Sequence, residues 1–233
     1  MKTIALLLLS SLFANTGAAE TKHPARASAE MMLEAMGGKA VWKEVRSVHN
    51  TAVNHHPQSR LPYVQEYWFD TREPHHYLTI KNFDFDRSRG YTRKGGCSLV
   101  EGDARPFTDE RLQNELQSWA RSMYRKLYLL AADPENLELE LGTGGRVEFT
   151  YEGEFIGWMN IASDGTPERH GGSAPSEMFT EFLPLIEFGP VSWPRGGKDN
   201  DGWDFEILSL QISQEEIPPA LKVPCTPEGH TAE

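Results

Sequence analysis

Turn signals recur about every 8–14 residues between Arg46 and Glu101 and strands resume from Leu137 to Gly171, and most of the segments between the turns alternate with the two-residue period of a strand. This spacing constrains the fold more than any other feature, because it commits most of the chain to short antiparallel strands. Strands are predicted over 46–53, 62–70 and 76–82. A hairpin follows over 86–93 and 98–101, with Lys94-Gly95-Gly96 at its tip. Further strands are predicted over 137–141, 146–151, 154–162, 167–171 and 203–212. Gly142-Thr143-Gly144-Gly145, Glu152-Gly153, Asp164-Gly165 and Asp199-Asn200-Asp201-Gly202 supply the turns. Residues 173–197, with Phe179, Phe182, Pro184, Phe188 and Trp193, read as a looser stretch. Between 63 and 70, Tyr63, Gln65, Tyr67 and Phe69 alternate with Val64, Glu66, Trp68 and Asp70. Both faces carry apolar groups, which suits a sheet that is covered on both sides or curls round something.

Helical spacing appears in two places. Pro24–Met36 is rich in good helix formers, with Ala29, Met32, Leu33 and Met36 on one face and Gly37-Gly38 as the stop. A short turn over 39–45 would place Val41, Trp42 and Val45 inward. From Thr108 to Ala132, Leu112, Leu116, Trp119, Met123, Leu127 and Leu130 recur at intervals of three and four. That predicts one long amphipathic helix, capped by Thr108, stopped by Asp133-Pro134 and laid across the sheet.

The first nineteen residues have the three parts of an export signal: Lys2, an apolar run from Ile4 to Phe13, and the small residues Thr16-Gly17-Ala18-Ala19. Cleavage after Ala19 and delivery to the periplasm are expected. With no Cys near the cut, no lipid anchor is expected. The apolar run is shorter than the roughly 20 residues of a spanning helix, and no later stretch is apolar for long enough. Residues 20–213 read as one domain without repeat or linker, and 214–233 as a Pro-rich polar tail along the surface. The net charge of −11 opposes nucleic-acid binding, which depends on neutralising phosphates, and opposes a polybasic membrane contact. The two cysteines, Cys97 and Cys225, either pack as free thiols or form a long-range disulfide, which an oxidising compartment permits.

Motifs that would indicate catalysis are absent. There is no His-Glu-x-x-His, Gly-x-Ser-x-Gly, Cys-x-x-Cys or phosphate loop. His55-His56 and His75-His76 are possible metal ligands, but adjacent strand residues point to opposite faces, and solvated histidines near strand ends account for them better. Asp199 to Gly202 resembles part of a calcium loop, yet Leu208 stands where the closing Glu belongs. Asp84, Asp86, Arg87 and Arg89, beside Phe83, Phe85 and Tyr91, read as a charged turn and edge strand. No cofactor or metal is expected.

The element order, from opening helix through many antiparallel strands to one mid-chain helix and a mixed finish, resembles the outer-membrane lipoprotein carrier superfamily. The run Ala35-Met36-Gly37-Gly38-Lys39-Ala40-Val41-Trp42-Lys43-Glu44-Val45-Arg46-Ser47 is similar to its passage from helix to first strand. The resemblance covers most of residues 28–213. It implies an α+β fold: a curled antiparallel half-barrel with the N-terminal helix and the long mid-chain helix on its concave face. On that fold the expected function is a non-catalytic periplasmic binding module for an apolar small molecule, an acyl chain or a lipoprotein-like ligand. The expected lining is Tyr67, Phe69, Leu78, Ile80, Phe149, Tyr151 and Trp158, chosen as apolar walls on four strands. A metal-dependent hydrolase using His and Asp groups is one alternative. A structural protein that binds envelope partners is another.

Overall fold

The computed structural model describes residues 24–83, 86–172, 178–218 and 221. The fold is α+β, and its body is an open, curled antiparallel sheet of thirteen strands. Six strands form the first arm as a meander: β1 (Ser47–His55), β2 (Tyr63–Asp70), β3 (His75–Lys81), β4 (Asp86–Thr92), β5 (Gly95–Val100) and β6 (Asp103–Pro106). The second arm begins with β7 (Leu137–Leu141), β8 (Val147–Tyr151), β9 (Glu154–Ile161) and β10 (Pro167–Gly171). It continues through β11 (Phe179–Phe182) and β14 (Gly196–Asp199) to β15 (Asp204–Ser213), which pairs with β1 at the centre of the sheet. The hairpin of β12 (Leu185–Phe188) and β13 (Val191–Pro194) lies outside the main sheet. Bulges occur at Thr51/Ala52, Phe149/Thr150 and Pro167/Arg169; each adds twist and bends its strand, which helps the sheet to curl.

Four of these strands, β11 to β14, fall in the stretch expected to be irregular. Each has only four residues, and Pro184, Pro190 and Pro194 interrupt any alternation. The hairpin they create has a packing role. Val191 and Trp193 are buried, and Trp193 stacks on Tyr124 with ring centroids 4.4 Å apart. Gly37, at φ +120°, passes under this hairpin so closely that a Cβ would stand 2.9 Å from the Pro190 carbonyl oxygen. Only glycine suits both that backbone angle and that approach.

The helices lie over the inner face. They are α1 (Pro24–Ala35), α2 (Gly38–Glu44), α3 (Asp109–Ala120) and α4 (Met123–Ala132). The mid-chain helix expected as one is therefore two. Arg121 ends α3, and Ser122, with extended ψ of 151°, starts α4 by accepting a hydrogen bond from the Arg125 N–H. The capping serine offers the backbone a competing partner at this point. The apolar stripe nevertheless keeps its phase across the break: Trp119, Met123, Leu127 and Leu130 are all buried, and Leu112 and Leu116 pack at the margin of the core. Six of the ten α4 residues are buried apolar or aromatic side chains, and Arg125 and Lys126 are buried among them. Two hydrogen bonds fasten this helix pair to the end of β2. Trp119 Nε1 donates to the Asp70 carbonyl at 2.7 Å, and Arg125 Nη1 donates to the Thr71 carbonyl at 2.7 Å.

The polar segment after β15 begins with contacts to the sheet. Ser47 Oγ donates to the Glu215 carbonyl at 2.8 Å, and Ile217 is buried. The proposed signal, Asp84 and Cys225 lie outside the described residues. Among the described residues, no helix is long and apolar enough to cross a membrane.

Candidate ligand-binding cavity

Strand register places the inner-face side chains in rows. One row runs Asn50, Tyr67, Leu78, Arg89 across β1 to β4, and the next runs Val48, Phe69, His76, Tyr91. On the other side of β1, Ala52 faces Ile207 and Asn54 faces Phe205 of β15. Helices α3 and α4 cross above these rows, and a cavity of about 290 Å³ remains between helices and sheet. Its aromatic wall includes Tyr67, Phe69, Tyr91, Trp119, Tyr124 and Trp193, and Phe182, Trp203 and Phe205 extend it beyond β1. The rings are in mutual contact: Phe69 lies 5.6 Å from Tyr124 and 6.3 Å from Trp119.

Polar groups interrupt this wall. Asn50 Nδ2 donates to Tyr124 Oη at 2.9 Å. Burial and the neighbouring Tyr124 phenol raise the Tyr67 pKa well above its ordinary value, and burial raises Tyr124 to about 12. Both phenols therefore stay protonated as neutral hydrogen-bonding groups. His76 lies among Tyr67, Phe69 and Tyr91, and burial, reinforced by Arg89, lowers its pKa to about 3. Arg89 Nη1 meets Glu115 Oε1 at 3.1 Å, so the two charges in the cavity wall compensate each other.

A second polar group sits beside it. His170 of β10 lines the cavity, and its Nε2 lies 3.1 Å from both Lys126 Nζ and the Arg121 carbonyl oxygen. Lys126 Nζ also donates to the Arg121 carbonyl. Burial, with Arg121 nearby, lowers the Lys126 pKa to about 7, and burial with Lys126 lowers His170 to about 3. A neutral amine has a lone pair as well as protons, so it can donate to Arg121 and accept from His170. Thr180 Oγ1, also at the cavity, donates to Asp199 Oδ1.

Of the residues expected to line a pocket, Tyr67, Phe69 and Leu78 do so. Ile80 lies on the same face of β3 as Leu78 but is not part of the cavity wall. Phe149 is fully buried in the core, with Lys126 Nζ 6.0 Å from its ring centre, and Tyr151 packs at the core margin under the Arg125 guanidinium. Trp158 is on the opposite face. Counting back from the Glu152-Gly153 turn, an unbroken hairpin would set Trp158 opposite Val147, on the Phe149 side. The bulge at Phe149/Thr150 moves it one residue, opposite Glu148, where it meets Phe179 and Arg146. A slip of one residue exchanges the faces of a strand.

His55 is exposed at the end of β1, whereas His76 is half-buried on β3 and lines the cavity, so it is not the solvated histidine expected. Among the described residues, no cluster of three His, Cys, Asp or Glu side chains could hold a metal. Arg89 and Tyr91 also belong to the cavity, while Asp86 pairs with Lys81 at 3.4 Å outside it. Residues 199–202 form the expected turn into β15. Sequence reasoning missed Asn50 and Asn54. Their signal was present, since both share the two-residue phase of Val48 and Ala52, the apolar inner face of β1.

No protein-family model matches the chain, and no curated protein matches it. Among solved structures, it is similar to the crystal structure of a DUF1329 family protein from Desulfovibrio piger. The TM-score is 0.48 at 9% identity, over 82% of this chain and 93% of that one.

Proposed function

We propose that this chain is an exported, non-catalytic binding module that holds an apolar or amphiphilic small molecule between the curled sheet and helices α3 and α4. The observation that carries the reading is the 290 Å³ cavity with its largely aromatic wall, interrupted by a few polar groups. Its volume is near the lower end of the roughly 300–1,000 Å³ range of small-molecule pockets. Apolar walls with a few polar groups are the usual composition of such sites. The resemblance to lipoprotein carriers supports the same reading at the level of fold, and the signal-like N-terminus supports the compartment. Each methylene buried there contributes about 0.8 kcal/mol, so a chain of modest length gains useful affinity from burial alone.

The test is native mass spectrometry of the protein purified from its own compartment, followed by organic extraction and titration of the stripped protein with an environment-sensitive acyl probe. A co-purified small molecule and saturable one-to-one binding are expected. A Leu78→Asp variant that remains folded should lose the probe. Absence of both a co-purified molecule and saturable binding would refute the proposal and favour a purely structural role.

A further inference from the structure

We propose that the occupant of this cavity is a neutral amphiphile, an ester- or amide-linked acyl chain with a hydroxyl-bearing head, rather than a fatty-acid anion. This rests on the binding reading above and narrows it to a ligand class. The observation is the distribution of unpartnered polar atoms. Asn50 Oδ1, Asn54 Nδ2, His76 Nδ1, Arg89 Nε and Trp203 Nε1 are buried without a hydrogen-bond partner, and all five belong to residues lining this cavity. Asn50 and Asn54 are only 1% and 2% exposed. In folded proteins the large majority of buried polar atoms are paired. Five such atoms round one cavity therefore mark a place completed by something that is itself polar.

Their chemistry restricts what that is. Asn54 Nδ2, Arg89 Nε and Trp203 Nε1 are donors, Asn50 Oδ1 is an acceptor, and His76 Nδ1 serves either way according to its tautomer. The complement needs acceptor oxygens and at least one donor. An ester or amide carbonyl with hydroxyls supplies both, whereas a carboxylate only accepts.

Charge leads to the same class. The Arg89 cation already faces Glu115, and burial keeps His76 and His170 neutral. Lys126, behind His170, has its amine directed to the Arg121 carbonyl. A carboxylate entering here would leave water without gaining an uncommitted cation, and an unpaired buried charge is costly. The polar atoms are also spread along β1. Asn50 and Asn54 are about 13 Å apart at ~3.3 Å per residue, with Ala52 and Ile207 between them. An elongated molecule with an apolar body and polar groups fits that sequence of surfaces better than a compact polar one.

The test is calorimetric titration of the delipidated full chain at pH 8 with monolauroylglycerol and, separately, with laurate, both below their critical micelle concentrations. The acyl chains are equal, so the comparison reads the head. Monolauroylglycerol should bind at least tenfold tighter. Asn54→Leu and Trp203→Phe, each checked by melting temperature, should weaken it roughly three- to tenfold, the value of one hydrogen bond, and change laurate less than twofold. Laurate binding as tightly as the glyceride would overturn the ligand class and leave the binding module standing. Saturation by neither compound would overturn both. Unchanged glyceride affinity in both variants would mean that water alone satisfies these atoms, and the assignment would fall.

Discussion

Lys126 gives the fold a pH dependence whose sign and window can be worked out. The residue is fully buried in α4, and its pKa falls from 10.5 to about 7. In the unfolded chain the amine returns to about 10.4. Between these two values the unfolded state binds a proton that the folded state does not, so stability rises with pH. Below about pH 7 both states are protonated and the full penalty is present; above about pH 10.5 both are neutral and it has gone. The buried histidines act in another window, between about 3 and 6.5, where stability also rises with pH. The buried phenols act above about pH 10 with opposite sign, because the unfolded tyrosines ionise first. The interval from pH 7.5 to 9.5 therefore isolates the lysine. Linkage over those two units gives a rise of about 2–3 kcal/mol. Urea unfolding of the wild type at the two pH values should register that rise. Lys126→Met, which keeps much of the side-chain volume and leaves His170 able to donate to the Arg121 carbonyl, should lose the slope and gain stability at pH 7.5. Equal slopes in the two proteins would refute the reasoning.

Three other outcomes follow from the structure and the sequence. Leu127→Ala, at a fully buried position in α4, should cost about 2–5 kcal/mol in urea unfolding; a loss below 1 kcal/mol would mean that the helix is not seated on the sheet. We propose that Cys97, buried on β5, is bonded to Cys225, so thiol counting on unfolded, unreduced protein should find no free thiol, and two free thiols would remove that proposal. N-terminal sequencing of exported material should begin at Glu20, whereas a start at Met1 would exclude the signal.

Strands β1 to β5 and β7 to β10 could be read in the sequence because alternation and turn chemistry agree there, whereas the four-residue β6 was missed. Glu152 and Gly153, for example, both adopt positive φ, 55° and 79°, as the tight hairpin turn requires. Strands β11 to β14 could not, since four residues between prolines carry too little periodicity. The break at Ser122 was hidden because the apolar spacing runs through it unchanged. For the cavity, residues of β2 and β3 were legible from a regular register, and Trp158 was not, because one bulge reverses its face. The more informative error concerned chemistry. A search for apolar walls passes over Asn50, Asn54 and His76, although their alternation with outward residues places them inside.

The pairing of β1 with β15 also bears on how the molecule folds. Ser47 lies opposite Ser213, with nearly all the described chain between them, while each arm is built largely from neighbours in sequence. Closing so long a loop is entropically slower than zipping a meander. The arms are therefore expected to form early and the central seam to close last. Asn50, Ala52 and Asn54 come from one side of that seam and Phe205 and Ile207 from the other, so the cavity exists only once this late contact is made. A ligand held there acts as a kinetic clasp: it leaves the assembly of the arms unaffected and slows the reopening of the seam.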